Sequence, residues 1–82
     1  MVYFVYILKS RIDNSYYIGQ THNLSNRIFE HNFEETNYTK KKRPWDLIYK
    51  EEYKTRSEAV NRERYFKKLK NRKYLEKIIM GP

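Results

Sequence analysis

Seven consecutive residues near the start, Val2-Tyr3-Phe4-Val5-Tyr6-Ile7-Leu8, are β-branched, aromatic or aliphatic without interruption. A half-exposed strand alternates polar and apolar side chains, so a run with no polar member calls for a strand covered on both faces. In a chain of 82 residues that demand is heavy. A domain of this size buries only about 60 to 65% of its unfolded surface, which leaves room for one core, and the run is expected to be its first, central strand. The run is too short for a membrane span, has no basic segment before it and stops at Lys9, so no membrane insertion and no signal peptide are expected. The chain has no cysteine, which excludes disulfides, thiolate metal sites and a cysteine nucleophile and makes the cytoplasm the expected compartment.

The turn formers Asp13-Asn14-Ser15 follow, and Tyr16-Tyr17-Ile18-Gly19 resumes the strand pattern, which predicts a β-hairpin. From Asn23 to about Asn32 the period changes: Leu24, Ile28 and His31 recur at i, i+4 and i+7, the signature of a short amphipathic helix. Phe33 to Lys42 has mixed polarity and reads as a loop, ending in Lys40-Lys41-Lys42-Arg43 before Pro44. Trp45 to Tyr53 reads as a third strand with Leu47, Tyr49 and Tyr53 on one side. Thr55-Arg56-Ser57-Glu58 matches a capping box, and Ala59, Val60, Phe66 and Leu69 form the apolar stripe of a helix to about Lys70. Asn71 stands as a break or cap before a last helix whose stripe is Tyr74, Leu75, Ile78 and Ile79. The order β-β-α-β-α-α, in a single domain over residues 1–82, describes an α/β fold of the α+β type: a small three-stranded antiparallel sheet flanked by helices.

The formal net charge is +8. Such an excess repels itself unless an anionic partner offsets it, and nucleic acid is the leading candidate. Three side chains sit where a plain structural helix would not want them. Arg27 and His31, one turn apart beside Leu24 and Ile28, lean toward the sheet, and Glu63 lies between Ala59 and Phe66 on the buried side of its helix. Singly, each has an ordinary explanation: an arginine whose stem packs while its head stays wet, a boundary histidine, a glutamate paired with Arg62, Lys67 or Arg27.

Taken in order, they carry a resemblance. Val5-Tyr6-Ile7 followed by Tyr17-Ile18-Gly19 resembles the paired strand motifs that name the GIY-YIG superfamily, although the first motif lacks its glycine. Arg27 with His31 resembles the family's helix signature, and Ser57 to Glu63, leading into Lys67-Lys68, resembles the segment that carries its metal-binding glutamate. Lys42-Arg43-Pro44-Trp45 with Leu47-Ile48-Tyr49 is similar to the small stand-alone bacterial branch, related to the N-terminal catalytic domain of the excision-repair incision subunit. The resemblance spans roughly residues 2 to 79. Leu75 departs from it, standing where catalytic members often carry an asparagine about twelve residues after the glutamate.

The resemblance implies a metal-dependent endonuclease that hydrolyses phosphodiester bonds in nucleic acid, with DNA in repair or recombination as the expected substrate. Glu63 is then the ligand of one hard divalent cation, Mg2+ or Mn2+, and Arg27 the guanidinium that holds phosphate oxygens. Tyr6 and Tyr17 orient or deprotonate the attacking water, which requires a phenol lowered from about 10 by nearby cations, and His31 assists or holds Tyr6. Which tyrosine is the base stays open. Lys40, Lys41, Lys42 and Arg43, and the cluster of Lys67, Lys68, Lys70, Arg72 and Lys73, are candidates for phosphate contacts.

A joint role for Tyr6 and Tyr17 sets a structural condition. The two share a sheet face only if the hairpin pairs residues whose numbers sum to an odd value, and that register is expected. The alternatives are a nucleic-acid-binding module of the same fold without cleavage, which Leu75 favours, and an interaction protein for an acidic partner. A protein partner that directs targeting is compatible with either.

Overall fold

A computed structural model describes residues 1–33, 40–69 and 71–81. Strand β1 (Tyr3–Ser10) forms the middle of one sheet, with β2 (Tyr16–Thr21) and β3 (Trp45–Tyr53) antiparallel on either side. Helix α1 (Leu24–Phe33) follows β2, a single 3-10 turn spans Lys40–Lys42, and α2 (Arg56–Lys68) and α3 (Arg72–Met80) follow β3. The α+β fold and its β-β-α-β-α-α order are those the sequence predicts. Residues 34–39, within the expected loop, and Lys70, within the expected basic cluster, lie outside the described residues.

The uninterrupted apolar run is the central strand because both its faces are covered. Val5 and Ile7 pack with Ala59, Phe66 and Leu75, so α2 and α3 lie on one face. Tyr6 and Leu8 pack on the other with Trp45, and Tyr17, Leu24 and Ile28 close that side. Val5, Tyr6, Ile7 and Leu8 are all buried. Among the described residues no helix is long and apolar enough to cross a membrane.

Local chemistry sets the element ends. Ser10 closes β1 with its hydroxyl, which accepts from the Ile12 amide at 3.1 Å, and Asn14 takes the left-handed conformation (φ 63°) that its short polar side chain tolerates. The Asp13 carboxylate accepts from the Ser15 hydroxyl and, at 3.0 Å, from the Ser15 amide, which holds it well below the usual carboxylate range. Thr55 caps α2 by accepting from the Glu58 amide at 3.2 Å, but the box is only half formed, because its hydroxyl also donates to the Glu58 carboxylate at 3.0 Å. Asn71 caps α3, accepting from the Lys73 amide at 2.8 Å. Helix α2 stops at Lys68, short of the expected end, because Leu69 turns extended (φ −73°, ψ 96°).

Two strand and helix expectations are corrected. Leu47 does not share a face with Tyr49: β1 pairs Ile7 with Tyr49 but Leu8 with Leu47, so Ile48 is an extra residue and alternation resets there. Tyr49, Glu51 and Tyr53 therefore face α2, while Leu47 stays 38% exposed. Tyr74 likewise leaves the apolar stripe of α3 and is exposed, whereas Leu75 is buried. On the α2 side Arg62 donates to both oxygens of Glu51 (2.9 and 3.2 Å), and the Tyr49 and Tyr53 hydroxyls donate to the same carboxylate at 2.5 and 2.6 Å. This network ties α2 to β3 and fixes the rotation of the helix that carries Glu63.

Candidate active site

The hairpin pairs Tyr6 with Gly19 and Leu8 with Tyr17, so its register numbers sum to an odd value. Tyr6 and Tyr17 consequently project from the same sheet face, diagonal to each other, with ring centroids 6.4 Å apart. The direct neighbour of Tyr6 is Gly19, and the phenol lies across it: a Cβ built there would stand 2.5 Å from Tyr6 Oη. The backbone of Gly19 is not left-handed, so the glycine serves close approach and not conformation. The phenol then reaches His31 of α1, its Oη 3.1 Å from Nε2. Tyr17 packs on the same imidazole at 4.5 Å between centroids, and Trp45 borders Tyr17 at 6.1 Å.

Burial dominates the electrostatics. Tyr6 is pushed well above its ordinary value, first by burial and then by the Tyr17 phenol, while Arg27 opposes the rise and Glu63 and Glu30 add to it. This corrects the expectation that nearby cations lower the Tyr6 phenol: the desolvation of its charged form outweighs the one guanidinium that favours it. Tyr6 is a protonated hydroxyl, not a resting phenolate. The His31 imidazole is pushed below its ordinary 6.5, by burial and then by Arg27, and is neutral at pH 7. Among the described residues its Nδ1 has no partner. A buried orphan N–H costs more than an orphan lone pair, which favours the proton on Nε2, donating to Tyr6 Oη.

Arg27 does not lean into the core as its helical position suggests. Its side chain is 45% exposed, with Nη1 3.4 Å from Glu30 Oε2, because a long arginine carries its head beyond the apolar layer its stem crosses. It lines a polar cleft of about 250 Å³ with Gln20, Asn23, Asn26, Glu30 and Arg56. Glu63, 19% exposed, accepts from Lys67 Nζ at 2.9 Å. Tyr6, Tyr17 and His31 are thus in mutual contact, and Arg27 and Glu63 are near enough to shift the charge balance at Tyr6.

The basic residues divide. Lys42 donates to Ser15 Oγ and pairs with Asp13 Oδ2, both at 3.2 Å, so its cation serves the hairpin turn, which weakens the expectation that it contacts phosphate. Lys40, Lys41 and Lys42 form the 3-10 turn where a loop was expected, and Lys40, Lys41, Lys68 and Lys73 are exposed. Arg72 stacks on Tyr16 at 4.0 Å and donates to the Asn14 carbonyl at 2.6 Å.

Sequence reasoning missed Gln20, whose Oε1 is buried without a partner among the described residues, and Arg56 and Trp45. Arg56 carried a signal, since a cation in the first turn of a helix opposes the macrodipole. Trp45 stood in the segment that resembles the small bacterial branch, but nothing there pointed to Tyr17, and Gln20 carried no signal.

The model of the GIY-YIG catalytic domain matches this chain over residues 2–75, a span that holds all of these side chains. The chain belongs to the GIY-YIG family. It thereby belongs to a nuclease family. The UPF0213 protein YazA of Bacillus subtilis is 43% identical over 72 residues, covering 87% of this chain and 72% of the relative. The UPF0213 protein SSP2268 of Staphylococcus saprophyticus is 38% identical over 80 residues, 96% of each chain. The solution NMR structure of the UPF0213 protein BH0048 from Bacillus halodurans superposes with a TM-score of 0.58 at 31% identity, covering 93% of this chain and 81% of that one.

The donor set available for a metal is small. Among the described residues no three His, Cys, Asp or Glu side chains cluster to hold an ion. That excludes a closed zinc-type cage built from the described residues, which needs three or four protein ligands, but it fits magnesium or manganese, which bind through one or two carboxylates with water and substrate phosphate completing the shell. Glu63, partly buried and paired with Lys67, is the carboxylate that the resemblance singles out for this role.

Proposed function

We propose that the chain, as a single domain over residues 1–82, is an endonuclease that hydrolyses phosphodiester bonds in DNA, in repair or recombination, with one Mg2+ or Mn2+ held by Glu63. The observation that carries this reading is the convergence of Tyr6, Tyr17 and His31 on one sheet face, where Arg27 and Glu63 both act on the Tyr6 hydroxyl. When bound, the cation supplies Lewis-acid stabilisation of the phosphate.

The remaining work falls to side chains. Arg27 presents a planar fork that stays protonated, exposed in its cleft and displaceable from Glu30 by a phosphate, where it offsets the charge that builds on the oxygens. Tyr6, neutral and fixed by His31 and Gly19, holds the attacking water by hydrogen bonding without taking its proton. Tyr17, less buried than Tyr6 and beside the same imidazole, is the tyrosine placed to meet that water from the solvent side. Lys67, paired with Glu63, would be available to a phosphate if Glu63 held the cation.

A binding module without cleavage has one observation in its favour: Leu75 is buried among apolar residues, so the position offers no polar group to the site. Cleavage of labelled DNA duplexes and single strands decides between the two. With Mg2+ or Mn2+ the intact protein is expected to cut, chelation by EDTA to stop it, and Glu63→Ala and Arg27→Ala to bind without cutting. Salt-sensitive binding by all three proteins with no cutting under either metal would replace the nuclease with the binding module.

A further inference from the structure

Two recesses flank Gly19 along β2, which is the edge strand on its side of the sheet. The polar cleft beside Arg27 takes in Gln20 and Thr21 on one side. On the other side an open recess of about 390 Å³ is lined by Tyr16, Tyr17, Phe66, Lys67, Leu69 and Leu75. The hydrolytic roles proposed above leave this second recess unused, yet it is continuous with them. Tyr17 forms its wall and also packs on His31, and Lys67 borders it while paired with Glu63.

The walls are more apolar than polar. Two tyrosines, Ile18, Phe66 and two leucines make an aromatic and aliphatic surface, and Lys67 is the one cation among the described lining residues. Leu75 completes the apolar wall, and Arg72 adds a cation outside it by stacking on Tyr16 at 4.0 Å. A flat apolar occupant bearing a phosphate answers both features. The recess falls within the range, from about 300 Å³ upward, of sites that hold small ligands.

We propose that this recess receives one nucleobase of the strand being cut, turned out of its stack, so that the preferred substrate is DNA with an unpaired nucleotide beside the scissile phosphate. The inference rests on the nuclease reading and specifies its substrate. A base offers a π-face to tyrosine whatever its identity, so the recess selects for an unstacked base and not for sequence. A base inside a regular duplex must first be extruded, whereas an unpaired one is already available. The phosphate attached to the seated base lies toward Lys67, and the strand continues past Gly19 to the cleft that holds Arg27 and Arg56. The two recesses then grip neighbouring nucleotides on either side of the bond.

The test changes the substrate before the protein. Duplexes with one unpaired nucleotide are prepared with a base, or with an abasic sugar at the same place, and cut by the intact chain and by Leu69→Trp, which fills the recess from a partly exposed position outside the hydrolytic set. Removing the base is expected to slow cleavage by the intact chain about ten-fold, the size of one base–aromatic stack, and to change nothing in Leu69→Trp. Equal rates on base-bearing and abasic substrates in the intact chain overturn the base recess and leave the nuclease reading standing. If no substrate is cut, the nuclease reading fails, and binding decides the recess. A fluorescent adenine analogue at the unpaired position, titrated in EDTA, is expected to change emission with the intact chain and not with Leu69→Trp. No change with the intact chain overturns the recess on its own account.

Discussion

The phenol of Tyr6 crosses the backbone of Gly19, and no side chain fits between them: a Cβ on Gly19 would meet Tyr6 Oη at 2.5 Å and Cζ at 2.7 Å. The ring cannot swing away cheaply, because it is buried and its hydroxyl is held by His31. Gly19→Ala is therefore expected to cost about 1–3 kcal/mol of stability as an overpacked core does, and about 100-fold in cleavage through misplacement of the hydroxyl. Urea unfolding and single-turnover cleavage measure the two effects. An alanine variant with unchanged cleavage would mean that the crossing does not set the position of Tyr6.

The two tyrosines are expected to separate stability from activity. Tyr6→Phe leaves both nitrogens of a buried imidazole without a described partner, which costs about 1–3 kcal/mol. Tyr17 is less buried, and Tyr17→Phe keeps its packing against His31 and Trp45, so its loss of stability is smaller. In cleavage the order reverses: Tyr17→Phe loses about 1000-fold, as removal of a group that handles the proton does, and Tyr6→Phe loses about 100-fold, as misplacement of its hydroxyl does. Thermal melts and cleavage rates of both variants, side by side, read the crossing. The same order in both assays would mean that Tyr6 is the residue closest to the chemistry.

What the sequence made legible is what local chemistry controls. The central strand, the helix starts at Thr55 and Asn71 and the partly buried setting of Glu63 follow from period and caps within a few positions, whereas the odd hairpin register followed only from the joint role that the resemblance gives Tyr6 and Tyr17. What it hid depends on distant partners. The extra residue at Ile48 is a compromise between β3 and β1, and Lys42 is held by Asp13 and Ser15 from a turn 27 residues away. The direction of the Tyr6 shift hinged on how deeply a strand residue lies under a helix, which spacing does not reveal. Helical spacing sets where the Cβ of Arg27 points, but not where a guanidinium several bonds further ends.

Arg27 offers a clean division between folding and function. Its ion pair with Glu30 is long and half in solvent, and such pairs contribute about 0–1 kcal/mol. Arg27→Ala is expected to melt within a few degrees of the intact protein while losing about 100- to 1000-fold in cleavage, as removal of a charge-stabilising donor does. Arg27→Lys restores the charge without the fork, and its recovery is expected to be partial. Full recovery with lysine would show that charge alone is required, and a large drop in melting temperature with alanine would show a structural role.

The acid limb of stability is expected to fall in two stages. The His31 imidazole binds its proton less readily when folded than its ordinary 6.5, so below about pH 6.5 the unfolded chain holds more protons than the native one. Stability therefore drops as pH falls from about 6.5 toward the native value of His31, and this part of the loss ends there. Glu51 behaves oppositely in origin. Burial alone would raise its carboxyl, but hydrogen bonds from Arg62, Tyr49 and Tyr53 outweigh burial and hold it below 4.5. Its contribution is present above 4.5 and is lost as pH falls through its native value. Urea unfolding across this range is expected to show the first stage removed in His31→Gln and the second reduced in Glu51→Gln, where Asp13 and Asp46, also held low, sustain the remainder. A first stage that survives in His31→Gln would assign it to another group and remove the buried neutral imidazole from the site.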